Sequence, residues 1–226
     1  MGSNDCLKID PENLKLIAPF TLVCAGPSQS GKSHFIFSLL DNLDCINTKF
    51  EKIIFIYGVW QSLYKNYPNI FFTDKIDYLN ARSTGPVLII CDDVMTKIGN
   101  SKPLEDLFTQ GRHAGVSTIL ILQSLFYQGS VMKTIRNNST YIAVTAHLQD
   151  IMRLSTFATQ LERKNSSYFF DSYENIMQEK FAYLFCDLHP KSILRDAPYF
   201  IKYRSKVHSP RGQVLYIDRK RYTSNL

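Results

Sequence analysis

The chain has 226 residues, 45% hydrophobic and 20% charged, with a formal net charge of +6. That is an ordinary globular balance, enough for one α/β domain with a proper core. It holds no run of about 18 apolar residues, which argues against a membrane span, and no charged, apolar, small-residue leader, so a secretion signal is not expected.

Residues 1–19 are polar with scattered apolar positions and end at Pro19. Met1-Gly2 opens like a myristoylation site, but Cys6 stands where Ser or Thr is wanted. Phe20–Ala25 predicts a first strand, and Gly26-Pro27-Ser28-Gln29-Ser30-Gly31-Lys32-Ser33 comes directly after it. A helical pattern from about Lys32 to Leu43 places Phe35, Ile36, Leu39, Leu40 and Leu43 on one face. Lys52–Tyr57 is β-branched and nearly continuous, as expected of a strand buried on both faces. Gly58 ends it, and Trp60, Gln61 and Tyr64 come next in a loop or short helix. Asn69–Thr73 reads as a short edge strand and Lys75–Ala81 as a helical turn or two.

Val87–Cys91 is the strongest strand and runs into Asp92-Asp93. Pro103 suits the first turn of a helix through Phe108. Gly111–Gly115 reads as a loop, Val116–Leu122 as a strand ending in Gln123, and Ser130–Arg136 as a helix. Tyr141–Thr145 is a fifth strand. Gln149–Arg163 and Asp171–Gln178 read as helices. Phe181–Cys186 and Tyr199–Tyr203 complete the pattern as two late strands, a candidate hairpin. Strands alternating with helices predict a mostly parallel sheet with right-handed crossovers.

The last segment differs in charge. Phe200–Leu226 holds seven basic residues and one acid, Asp218, and so carries the whole net charge. A basic terminal arm suits a polyanion; a solvated tail is the plainer reading. The organisation is therefore a domain over residues 1–199, with its core at about 20–145, and an arm over 200–226. The five cysteines (Cys6, Cys24, Cys45, Cys91 and Cys186) form no Cys-x-x-Cys pair, so neither zinc nor a disulfide framework is expected. This fits a reducing intracellular compartment.

Chemistry concentrates at the strand ends. Strand, glycine-bounded loop, Gly-Lys-Ser and helix is the context a phosphate loop requires. Gly26 and Gly31 let the backbone of Gly26–Ser33, through Pro27, Ser28, Gln29 and Ser30, turn its N–H groups inward as an anion nest. Lys32 would reach the β- and γ-phosphates of ATP, and the Ser33 hydroxyl would ligate Mg²⁺. Asp92 would hold that Mg²⁺ directly or through water, and Asp93 stands where a general base can polarise a water. The Gln123 amide can orient water because it both donates and accepts. The Arg112 guanidinium suits phosphoryl charge, though a surface ion pair explains it equally well. His113 reads as a structural partner. Ligands in such sheets sit beyond the carboxyl ends of the strands, where the phosphate loop, Asp92-Asp93 and Gln123 all fall.

Gly26–Ser33, Val87–Asp93 with its double Asp, and Gly111-Arg112-His113 ahead of Ser117 and Gln123 together resemble the viral genome-packaging ATPases of the FtsK/HerA superfamily. The branch is the poxvirus type, also found in giant viruses and Maverick/Polinton elements. Tyr57, Gln61 and Tyr64 fit that branch, and the resemblance spans roughly Phe20 to Thr145. It implies a RecA-like (ASCE) P-loop fold, with the Gln123 strand between the phosphate-loop strand and the Asp92 strand. It also implies a homo-oligomeric ring of five or six subunits, with Arg112 as a finger acting in trans. Double-stranded DNA would be driven through the ring into a preformed capsid, at a capsid vertex or beside membrane-associated capsid proteins. Assembly sites in the host cytoplasm or nucleus, or the virion, are the implied locations. Many related ATPases carry Glu where this chain has Asp93, while the packaging branch often shows Asp-Asp.

On this reading Met95–Lys102 and Lys133–Asn138 are candidate DNA-facing segments. Two alternatives stay open. A monomeric P-loop kinase would need an Arg-rich lid, and none stands out between the first helix and Asp92. A non-translocating, nucleotide-dependent assembly factor would keep the fold and lose turnover.

Overall fold

β1 (Thr21–Ala25) is buried at every residue because it lies in the middle of a sheet covered on both faces. The computed structural model describes residues 15–77, 84–94, 101–145, 151–161, 169–170, 173–174, 177, 181–191, 199–202 and 214–216. Along the chain, β1 leads to α1 (Lys32–Asp41), β2 (Lys52–Tyr57), a 3₁₀ turn (Ser62–Asn66), β3 (Phe71–Thr73) and β4 (Val87–Asp92). Next come α2 (Lys102–Thr109), a 3₁₀ turn (Gly111–Ala114), β5 (Val116–Leu122), α3 (Ser130–Asn137), β6 (Tyr141–Thr145) and α4 (Ile151–Leu161). The last strands are β7 (Tyr183–Asp187), β8 (Tyr199–Lys202) and β9 (Val214–Tyr216).

The nine described strands form one sheet in the order β3-β2-β4-β5-β1-β6-β7-β8-β9. The block from β3 to β6 is parallel, and β7, β8 and β9 add on antiparallel. This is the expected α/β architecture with a small C-terminal β extension, and β5 lies between β1 and β4 as expected. β8 and β9 fall in or at the edge of the segment whose sequence stands out only for its charge. The sequence pattern does not predict β9.

Alternation in β1 assigns its side chains to two cores. Leu22 and Cys24 pack with Phe35, Ile36 and Leu39 of α1. Val23 and Ala25 pack with Leu104 and Phe108 of α2 and with Met132 and Ile135 of α3. Each large side chain buried this way contributes about 1.5–3 kcal/mol. The register brings Ala25 opposite Leu122, Asp92 opposite Ile121 and Tyr57 opposite Asp92, so four parallel strands end on one rim.

Several boundaries differ from the sequence pattern for local reasons. α1 stops at Asp41, two residues early, because Asn42 leaves helical geometry and its Nδ2 donates to the Ser38 carbonyl at 2.7 Å. A side chain that bonds backbone in this way competes with helix continuation. Phe181 is not the start of a strand; it holds a left-handed turn and β7 begins at Tyr183. Gly111–Ala114 is a 3₁₀ turn rather than open loop, closed by Gly115 at φ 71°. Residues 78–81, 95–100 and most of 171–178 lie outside the described residues, and with them much of three expected segments.

Candidate functional site

β1 delivers the chain to the carboxyl rim, where the glycine-bounded loop begins. Gly26 donates to the Leu122 carbonyl at 3.1 Å, which ties the loop to β5. A Cβ there would overlap Thr145 Oγ1, at the end of β6. Thr145 Oγ1 donates to Ser30 Oγ at 2.6 Å, and Ser30 Oγ donates to the Pro27 carbonyl at 2.7 Å. Gln29 at φ 61° and Gly31 at φ 99° take left-handed geometry on either side of Ser30. Turns of this type aim successive N–H groups into one concavity. No side chain caps the N-terminus of α1, which opens next to it, so its first amides remain available to an anion.

Lys32 lies across its own loop, with Nζ donating to the Pro27 carbonyl at 2.7 Å. Lys32 and Ser33 share one cleft with Ser28, Gln29, Asp92, Asp93 and Gln123. Asp92 ends β4. Asp93 then takes φ 53°, a conformation that Asp tolerates better than most residues. Gly58 makes room for it, because a Cβ there would run into the Asp93 carbonyl. The turn leaves Asp93 exposed, and Gln123 Nε2 donates to its Oδ1 at 3.4 Å. The Asp93 carboxylate and the Gln123 amide therefore meet in the cleft.

The electrostatics arise from burial. Burial pushes the Asp92 carboxyl up to about 6, the neighbouring Asp93 charge adds to that, and Lys32 opposes it. Burial pulls Lys32 below its ordinary value, against the opposing charges of Asp92 and Asp93. A buried carboxylate beside a second carboxylate favours a dication. Ser33 and Asp92 offer oxygen donors suited to Mg²⁺, which takes one or two carboxylates and shares phosphate oxygens. Among the described residues no group of three His, Cys, Asp or Glu could hold a metal alone. The donor set therefore fits a cation brought in with a phosphate.

Burial of Asp92 also bears on stability. The folded state holds the Asp92 proton more tightly than the unfolded chain, whose Asp titrates near 3.9. The folded state therefore binds more protons between about pH 4 and pH 6, and stability falls as pH rises through that window. Thermal melts without nucleotide or metal should show this decline, and Asp92→Asn should flatten it. At pH 7.5 Asp92→Asn should melt about 2–4 °C higher for each kcal/mol relieved. A wild-type slope in the variant would assign the effect to another group.

Arg112 stands apart. It precedes β5, whereas Gln123 comes after it, so the seven residues of β5 put about 23 Å between them. Arg112 does not line the cleft; it lies near His189, at the opposite end of the sheet, where burial depresses that imidazole and the Arg112 charge adds to the effect. It cannot act on the cleft of its own chain. Of the second candidate DNA segment, Lys133 is exposed. Arg136 donates to the Leu125 carbonyl at 3.1 Å and lies over the Phe126 ring, bracing the segment after Gln123.

Three cleft neighbours are not evident as site residues from the sequence. Gln61 and Tyr127 line the cleft, and Thr145 locks Ser30. Thr145 ends a parallel strand and Gln61 lies just past the end of one, which is the signal that could have found them.

No family model matches the sequence, and no curated protein does. Solved structures do. The genome-packaging NTPase B204 from Sulfolobus turreted icosahedral virus 2, in complex with AMP, aligns with a TM-score of 0.51 at 16% identity. That match covers 80% of this chain and 94% of the viral one. B204 from Sulfolobus turreted icosahedral virus, described as a DNA-packaging ATPase, aligns at 0.51 and 15% identity, over 75% of this chain and 92% of its own. The chain has the fold of a viral packaging NTPase. The fold is thus that of RecA-like P-loop ATPases, as the resemblance in the sequence implies. In a packaging-NTPase fold the carboxyl rim of the parallel strands is where the strand topology opens a crevice. Among the described residues no helix is long and apolar enough to cross a membrane.

Proposed function

We propose that this chain is an ATP hydrolase of the FtsK/HerA packaging kind, which drives double-stranded DNA into a capsid as a homo-oligomeric ring. The observation that carries the reading is one cleft that gathers Lys32, Ser33, Asp92, Asp93 and Gln123 from three adjacent parallel strands. Its resemblance in sequence and its fold point the same way.

On this reading the triphosphate of ATP takes the place of the Pro27 carbonyl as partner of Lys32 and accepts from the loop and α1 amides. Ser33 and Asp92 would hold Mg²⁺, which would supply positive charge to offset that of the phosphates. Asp93 takes a proton from the attacking water, and Gln123 fixes that water's orientation. Arg112, remote from its own cleft, would serve a neighbour's nucleotide as a finger in trans, worth roughly three to five powers of ten in rate. Gln123 also touches Asp93 directly, so it can pass the state of the γ-phosphate to the segment braced by Arg136.

The partners are then duplex DNA, further copies of this chain in a ring of five or six, and proteins of a capsid vertex or capsid membrane at viral assembly sites. The test is ATPase activity with and without duplex DNA across a salt series. DNA should stimulate turnover, and the stimulation should decline steeply from 50 to 200 mM salt, since phosphate contacts release counterions. Absence of any DNA effect, or one indifferent to salt, would sink translocation. A strict monomer by light scattering at all concentrations with nucleotide would favour a small-acceptor kinase.

A further inference from the structure

Phe181 is out of place by every ordinary criterion. It is aromatic, non-glycine and at φ 61°, a region that bulky residues avoid. It is also 43% exposed, although its successors Ala182 to Cys186 are all buried. Holding such a residue in that conformation strains the backbone, and strain of this kind gathers at ligand sites.

Its position is specific. A Cβ built on Gly31 would meet the Cβ of Phe181 at 3.0 Å, its Cα at 3.3 Å and its ring carbon Cδ1 at 3.4 Å. Phe181 therefore sits directly against the last glycine of the phosphate loop, and Gly31 at φ 99° is shaped to receive it. Among the described residues the other exposed large hydrophobic side chains are Val59, Trp60, Leu63, Phe71 and Ile76. All of these lie on or near the β2–β3 side of the sheet.

The sheet order fixes the flank. Asp92 and Gln123 belong to β4 and β5, on one side of β1, whereas Phe181 precedes β7, two strands from β1 on the other side. From β5 to β7 is three strand spacings, about 14 Å. A ligand whose phosphates rest on the loop, with its terminal phosphate toward Gln123, must extend its other end toward Phe181. The cleft on the Asp92 side is lined mainly by polar and acidic groups, with Tyr127 as its one aromatic lining residue among the described residues.

We infer that Phe181 is the platform on which the base of the bound nucleotide stacks, on the flank of the phosphate loop opposite Asp92 and Gln123. This rests on the triphosphate reading above, and it adds the base-binding half of the site. Stacking on an aromatic ring tolerates any base, because every base has a π-face. The platform therefore gives affinity for a nucleoside over a bare polyphosphate rather than strict selection of adenine.

The test compares two probes by calorimetry on the full chain with Mg²⁺: the non-hydrolysable analogue AMPPCP and inorganic tripolyphosphate. Phe181→Ala should weaken AMPPCP roughly 5- to 150-fold and leave tripolyphosphate within about two-fold of wild type. Phe181→Tyr should keep AMPPCP affinity. Phe181→Gly relieves the backbone, so it should melt no lower than wild type and still lose AMPPCP affinity, a combination that loss of a structural contact would not give. Unchanged AMPPCP affinity in Phe181→Ala and Phe181→Gly overturns the platform. So does an equal fall for both probes, which would make the ring a support for the loop. Wild-type protein that binds neither probe would instead overturn the triphosphate reading, and the platform with it.

Discussion

Asp93→Asn should lower kcat for ATP hydrolysis by about 10²–10⁴-fold, with KM changed by no more than a few fold. The substitution is nearly isosteric, and Asn tolerates φ 53° as Asp does, so the turn at the end of β4 should survive. Asp93 is exposed, and its described side-chain contact is the 3.4 Å bond from Gln123. Removing its charge should therefore cost little stability, and an unchanged melting temperature is the control. What is lost is the capacity to accept a proton from water. Binding rests instead on the loop, Lys32, Ser33 and Asp92. Full turnover in Asp93→Asn would show that a different group activates the water, and Asp92, half-buried and already elevated to about 6, would be the next residue to replace.

Gly26→Ala should be strongly damaging for the addition of a single methyl group. The added carbon would overlap Thr145 Oγ1, and both Ser30 Oγ and Thr145 Cβ would lie 3.0 Å away. Overpacking of this order costs about 1–3 kcal/mol, or roughly 2–12 °C in Tm for a chain of this length. The damage also reaches function, because Thr145 holds Ser30 and Ser30 holds the Pro27 carbonyl. Nucleotide affinity should fall with stability. Thr145→Gly removes two of the three crowding atoms, Oγ1 and Cβ, so the double variant should be more stable than the sum of the singles predicts. Strict additivity in the melting data would mean that the loop moves away from β6 at no cost, and the proposed lock would be wrong.

Both predictions rest on features of unequal visibility in the sequence. Lys32, Ser33, Asp92, Asp93 and Gln123 are legible because parallel strands impose one rule. Each apolar run such as Val87–Cys91 or Val116–Leu122 enters the sheet at the same side and leaves at the other, so the residues at the carboxyl ends of these strands converge. The same rule, applied to the residues ahead of a strand, puts Arg112 at the far end of β5 from the cleft. Thr145 and Phe181 are not legible. Their roles depend on β6 and β7 lying on the same flank of β1, which rests on pairing of β1 with β6, residues more than a hundred positions apart, and of β6 with β7. Phe181 is further disguised by the apolar run it heads, since nothing in Phe-Ala-Tyr-Leu-Phe signals a left-handed turn. β9 is hidden because Val214-Leu215-Tyr216 is too short to show a period and is flanked by charge.

The central place of β1 also bears on how the protein comes into being. Its hydrogen-bonding neighbours are β5 and β6, with Thr21 opposite Thr118 and Ala25 opposite Val144. At synthesis rates of about 5–20 residues per second, roughly 6–25 seconds separate the appearance of Ala25 from that of Thr145. Until Val116–Leu122 is made, a largely apolar strand and the glycine turn behind it exist on the ribosome without either flanking strand, and β6 completes only at the end of the interval. The most functionally dense part of the molecule is thus made early and assembled late. A nascent-chain chaperone that shields Phe20–Ala25 would act on the strand that later delivers the phosphate loop to the rim of the sheet.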